Sequence, residues 1–152
     1  MIDTTVESAD WRALAAAIAL GTIGALTIMI APGFVALVAD QAHVNDQHLG
    51  YVVSWDIDSM AASIALTTFL IARVNWRHLA LLGLGFIAAG SLWTATAQSY
   101  EVMIASRVCV GVGEGLAVGV SFAALGRARN ADQAFGLYLV VGFVISAGIL
   151  LV

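Results

Sequence analysis

The chain has no lysine, one proline and one cysteine. Charge of either sign is scarce: Asp, Glu, Lys and Arg make up 11% of its 152 residues, where a soluble domain carries about a quarter. Each scarcity excludes something. Six scattered arginines without a lysine make no basic stripe for a nucleic acid. The lone Cys109 permits neither an intrachain disulfide nor a cysteine-based zinc cluster. The three histidines, His43, His48 and His78, lack metal-ligand spacing. No residue set asks for a cofactor, and a net charge of −4 is too modest to name a partner. The acidic start MIDTTVESADWR lacks the positive region of a secretory signal.

What is present is apolar. Hydrophobic residues make up 61% of the chain and the mean hydropathy is +0.97. A chain this short has a large surface for its volume, and it has too little charge to cover that surface in water. Lipid removes the conflict. Five segments meet the requirement of about 20 apolar residues for a bilayer crossing: 13–38, 49–71, 79–97, 102–125 and 134–152. They are solidly apolar rather than alternating, so they are helices and not barrel strands. The expected fold is therefore an all-α membrane protein, a bundle of about five transmembrane helices (13–152) behind a short tail (1–12). The connections are short, so consecutive spans are expected to be antiparallel neighbours. The fifth segment is still apolar at Val152. It reads as cut within a span, with a missing C-terminal half of the same polypeptide as the expected partner.

Threading the chain five times puts Arg12, Arg73, Arg77, Arg127 and Arg129 on one side. The loops on the other side hold Asp40, Asp46 and Glu101. Arginine-bearing loops stay cytoplasmic, which implies a cytoplasmic N-terminus in the cell membrane. Trp11 and Trp76 fall near the inner interface and Tyr100 near the outer one, where amphipathic rings commonly lie.

The fourth segment carries the densest motif, RVCVGVGEGLAVG, from Arg107 to Gly119. Gly111, Gly115 and Gly119 recur every four residues and share one helix face. Small residues at that spacing let two backbones approach closely, so helix packing is their first role. Arg107 and Glu114 lie on nearly the same face, ~10 Å apart along the axis. That is too far for a direct salt bridge, so each needs a partner elsewhere. An ionisable group in a membrane helix is costly and marks a functional site by default. The alternative is a buried ion pair that only holds helices in register.

SWDIDSM in the second segment offers partners. Asp56 and Asp58 lie ~10–14 Å below its outer end, and Arg107 lies ~8 Å below that of the fourth segment. The depths nearly match. Two residues apart, Asp56 and Asp58 point in roughly opposite directions, so at most one can face a given cavity. Desolvation disfavours an ionised carboxyl and a nearby arginine favours it. A carboxyl between those pulls can exchange a proton near neutral pH. Asp56, Asp58, Glu114 and Arg107 are the candidates for binding a proton or solute. Pro32, with Gly33 beside it, removes a backbone hydrogen bond and kinks the first span. Such a kink lines a cavity in some membrane proteins and has no role in others. GVGEG looks like a phosphate-cradling turn on paper but has no strand before it.

Taken together, these residues resemble the major facilitator superfamily of secondary transporters. Arg107, Gly111 and Gly115 match that superfamily's fourth-helix pattern. The stretch TFLIARVNWRHLAL occupies the place of its loop signature, glycine-x-x-x-aspartate-arginine-x-glycine-arginine-arginine. Arg73 and Arg77 align with basic positions, while Ala72, Asn75 and Trp76 replace the aspartate, a glycine and an arginine. The resemblance covers about five of the family's twelve helices. It implies a six-plus-six fold whose halves rock about a midplane site, with Arg107 in the central cavity or a proton relay. The fifth segment lacks the glycine–proline pair of many proton-driven antiporters, which points towards symport or uniport. The expected activity is secondary transport of a small solute, coupled to protons, with no enzymatic step. The alternative is a non-transporting sensor or assembly partner built on the same helix packing. A membrane-embedded enzyme would need clustered histidines, a reactive serine or an acidic metal site, and none is visible in the sequence.

Overall fold

A computed structural model describes residues 4–42, 46–97 and 99–151, with side chains for 11–30, 50–97 and 99–151. Five helices follow one another: α1 (Thr4–Ala42), α2 (Asp46–Leu70), α3 (Trp76–Ala95), α4 (Tyr100–Leu125) and α5 (Ala131–Leu150). The described residues form no strand. Polar residues set where two of the helices begin. Asn75 stands before α3 and its side chain accepts from the Arg77 N–H at 3.1 Å. Ser99 stands before α4 and accepts from the Val102 N–H at 3.4 Å. Each satisfies one of the N–H groups that a helix start leaves unpaired.

The helix bounds follow the apolar segments to within a few residues, except that α1 begins at Thr4 and so takes up most of the expected tail. Pro32 and Gly33 fall within the span of α1, but their side chains, like His43, lie outside the described residues. Among the described residues four helical stretches are long and apolar enough to cross a membrane: Trp11–Ile30 of α1, and α3, α4 and α5. That is the pattern of a multi-pass membrane protein. The count is four where the sequence suggested five. The exception is α2, which has 25 residues but dilutes its apolar stretch with Asp56, Asp58 and a series of serines and threonines.

The bundle is organised around α4. It makes extensive contacts with α2, α3 and α1, and α5 reaches the bundle mainly through α1. Consecutive helices do alternate in direction, but they are mostly not neighbours. Among the described residues α1 and α2 touch little, α4 and α5 touch little, and only α3 and α4 are both consecutive and closely packed. This corrects the expectation drawn from the short loops. A loop fixes direction, whereas the shape of the facing surfaces selects the partner.

Small residues supply those surfaces. On α4, Gly111 meets Ser59 and Asp56, Gly115 meets Met60 and Ser63, and Gly119 meets Thr67. Ser59, Ser63 and Thr67 therefore run along α2 in the same four-residue step as the glycines, with α2 and α4 parallel. The Ser63 hydroxyl donates to the Val112 carbonyl at 2.8 Å and ties the two backbones together. Gly113 is two residues from Gly111, about 200° around the helix, and faces α3. A Cβ there would stand 2.6 Å from the Gly83 carbonyl oxygen and 2.7 Å from the Ile87 nitrogen. On the α1 side, Gly24 lies against the Glu114 carbonyl, Ala117 and Val118, and the buried Ser121 hydroxyl donates to the Ala17 carbonyl at 2.7 Å.

Backbone contact of this kind leaves no room for a methyl group. Gly113→Ala should destabilise the bundle by about 1–3 kcal/mol, the usual cost of forcing extra volume into a packed site. Gly85 on α3 has nothing within 4 Å of its would-be Cβ, so Gly85→Ala should be neutral or slightly stabilising. Unfolding of the two variants in mixed micelles distinguishes them.

Candidate functional site

Three helices bring polar side chains to one junction, and two of them, α2 and α4, bring ionisable ones. Arg107 and Glu114 are seven residues apart, so they project within about 20° of each other from α4. That direction lies between its contacts with α1 and α2. Asp56 enters from α2 and Thr27 from α1. The Arg107 Nη1 lies 3.8 Å from the Asp56 Oδ2. The Thr27 hydroxyl donates to the Glu114 Oε1. Asp56 is 6% exposed and Glu114 is 1% exposed, so neither carboxyl sits in an open mouth.

The matched depths of Asp56 and Arg107 thus correspond to a real pairing. The opposed directions of Asp56 and Asp58 are also as expected, since Asp58 is exposed on the other face of α2. Among the described residues no ion pair joins Glu114 to Arg107, in keeping with their separation along the helix. The glycines of α4 position the ions: Gly111 carries no side chain, so α2 can come in at Asp56 and bring that carboxyl within reach of Arg107.

A small cavity opens beside the ion pair. It is lined by Thr27, Ile28, Val52, Val53, Asp56, Ile57 and Arg107, and its volume is about 20 Å³, enough for about one water molecule. The Asp56 Oδ1 is buried and makes no hydrogen bond among the described residues. The site is otherwise apolar, and no group of three or more His, Cys, Asp or Glu is placed to hold a metal among the described residues.

The remaining candidates lie elsewhere. Arg73 and Arg77 are exposed in and beside the α2–α3 connection, with the Arg77 guanidinium 5.4 Å from the centre of the Trp76 ring, a cation–π distance. Arg127 and Arg129 line an open cleft together with Trp11 at the start of α1. The Thr67–Gly119 contact places the end of α2 beside the same end of α4. The exposed arginines of the described loops therefore gather at one end of the bundle.

Two sets of residues escaped the sequence reading. The Ser59–Ser63–Thr67 row was findable, because its spacing repeats that of the glycines it faces. Thr27 was not, because a single threonine in an apolar run carries no spacing signal. No family model matches this chain, and no solved structure matches it.

Removing one member of a buried ion pair leaves the other uncompensated, at a cost of about 3–5 kcal/mol. Arg107→Met should therefore destabilise the protein by about 3 kcal/mol, and Asp56→Leu combined with Arg107→Met should recover most of that loss. Unfolding of the single and double variants in detergent checks the pairing, and equal instability of the two would contradict it.

Proposed function

We propose that this chain is a secondary transporter of the major facilitator type, moving a small solute across the cytoplasmic membrane by alternating access with coupled proton movement. In this reading α2 is a fifth span and the arginine-bearing end is cytoplasmic, as the bias of positive loops towards that side favours. The observation that carries the proposal is the junction of Asp56, Arg107, Thr27 and Glu114 inside an otherwise apolar bundle. Ionisable groups at such a place are expensive to keep and are used for ion or substrate pathways by default.

The chemistry follows from the pairing. Arg107 stands at ion-pair distance from the Asp56 carboxyl and can compensate its charge while the two remain together. A rocking motion of the two halves that draws the Arg107 side chain away from Asp56 would leave that carboxylate without its cation, and it would then take up a proton. The reverse motion would return the arginine and release the proton. A solute carrying an anionic group could compete with Asp56 for the Arg107 guanidinium, which offers a planar, multi-donor face. Solute binding and proton uptake would then be linked through one side chain. Arg73 and Arg77 are proposed to act at the cytoplasmic end, where the family resemblance places a latch.

The tight packing of α4 supports a second reading, a sensor or assembly partner in which the same pair only fixes helix register. Proteoliposomes containing the full chain, tested by electrical recording with sugars, amino acids and organic acids as probes, separate the two. Transport predicts a solute-dependent current that collapses with the proton gradient and is lost in Asp56→Asn. A correctly inserted protein that gives no current with any of these solutes would favour the static reading.

A further inference from the structure

The cleft that holds Arg127 and Arg129 is both polar and apolar. Its volume is about 760 Å³. The polar side chains in its lining are Arg127, Arg129, Asn130 and Gln133, all exposed. The rest of the lining is apolar and comes from the start of α1, the end of α4 and the first turns of α5, Leu14, Ala124 and Leu137 among them. No carboxyl lines the cleft among the described residues, and Asp132 in the first turn of α5 is exposed outside it. The Asn130 side chain donates to the Gln133 Oε1 at 3.2 Å, which leaves the Gln133 amide nitrogen as a donor. Two guanidinium groups and a free amide donor thus stand over an apolar base.

A second hollow continues from this cleft. Trp11 and Leu137 line both. The second runs between α1 and α5 past Ile18, Ile23, Leu26, Val141 and Ile145, with a volume of about 430 Å³ and an almost wholly apolar surface. From Trp11 to Leu26 it follows α1 for ~22 Å at 1.5 Å per residue. One leaflet supplies ~15 Å of hydrocarbon, half of a core ~30 Å thick. The groove is therefore long enough to take an acyl chain from the membrane surface to the middle of the bilayer. Trp11 stands where the two hollows join, and indole rings favour the level of the headgroups.

A free anion would fill the cleft and leave the groove unused. A neutral lipid tail would fill the groove and leave the two arginines without a role. An amphiphile with an anionic head matches both hollows and their junction. We propose that the joined cleft and groove bind one anionic phospholipid, with its phosphate at Arg127 and Arg129 and one acyl chain between α1 and α5. The planar guanidinium fork suits phosphate oxygens, and basic pockets between membrane helices are a known way of holding anionic headgroups. The lipid lies along the contact through which α5 mainly joins the bundle, so it braces α5 against α1. In the orientation proposed above, the site belongs to the cytoplasmic leaflet.

The inference needs a membrane around the bundle but not transport, and it is tested by photolabelling of the full chain in phosphatidylcholine nanodiscs. The probe is a trace of phosphatidylglycerol with a diazirine midway along one acyl chain, and phosphatidylcholine with the same chain is the control. Labelled peptides are read by mass spectrometry. In the wild type the anionic probe should label segments 15–26 and 137–145 at least about threefold more than the control. The exposed Leu81 and Leu92 on α3 should label equally with both. Arg127→Gln with Arg129→Gln should bring the groove ratio to about one, as loss of the phosphate contacts requires. Ala19→Phe, at an exposed position of the groove, should at least halve the groove labelling and leave α3 unchanged. Inorganic phosphate, compared with chloride at equal ionic strength, should not remove the preference. Equal labelling of the groove by the two lipids, or a preference that survives in the double arginine variant, overturns the proposal. Loss of the preference in phosphate alone assigns the cleft to a free anion and overturns it as well. Should Ala19→Phe fail to insert, the wild type and the arginine variant decide the matter. A protein that transports no solute yet shows the preference would defeat the transport reading alone. A protein that transports without the preference would defeat this one alone.

Discussion

Two apolar helices in hydrocarbon gain nothing by hiding apolar surface from each other, because lipid tails are as apolar as leucine. Their association rests on how closely their backbones can approach and on pairing whatever polar groups they carry. In this chain that constraint falls on α4. Gly111, Gly115 and Gly119 let α2 in on one side and Gly113 lets α3 in on the other, while Glu114, Ala117, Val118 and Ser121 are buried on the side met by α1. The helix most completely enclosed is thus the one with the least side-chain bulk along its contacts. The outer helices α3 and α5 leave many large apolar side chains exposed, among them Leu81, Leu92, Phe143 and Val144, which suits surfaces that meet lipid.

Close packing is also what makes the polar junction possible. Asp56 and Arg107 come within ion-pair range because α2 lies against a glycine at that level of α4. Bulkier residues at Gly111 or Gly115 would push α2 outward and leave two charges in a medium that cannot solvate them. Serine hydroxyls bind backbone carbonyls across two of the contacts, Ser63 with Val112 between α2 and α4 and Ser121 with Ala17 between α4 and α1. Hydroxyls paired in this way cost little in hydrocarbon and hold the register of the contact. Packing and ion placement are therefore one design, and a change in either alters both.

Much of this was legible from the residues. Helix positions followed from apolar length, and the capping residues Asn75 and Ser99 account for where α3 and α4 start. The opposed fates of Asp56 and Asp58 followed from helix geometry alone, and so did the face shared by Arg107 and Glu114. Neighbour choice was not legible from loop length, because short loops constrain direction but leave the side-by-side order open. It was written instead in two matching four-residue rows, one of glycines on α4 and one of hydroxyls on α2. The weaker apolarity of α2 has in part the same origin, since Asp56, Ser59, Ser63 and Thr67 are turned towards α4. Thr27 could not have been singled out, because its role depends on a partner 87 residues away.

Thr94 on α3 and Ser106 on α4 offer a direct reading of whether the helices meet at backbone distance, since their hydroxyl oxygens lie 2.9 Å apart. In a Cys109→Ser background, Thr94→Cys with Ser106→Cys should form a disulfide readily and almost completely in native membranes under mild oxidation, whereas Thr94→Cys with Phe122→Cys should not. Mass spectrometry of the cross-linked peptides reads the outcome. Failure of the first pair to link, or equal linking by both, would contradict a bundle packed tightly around α4.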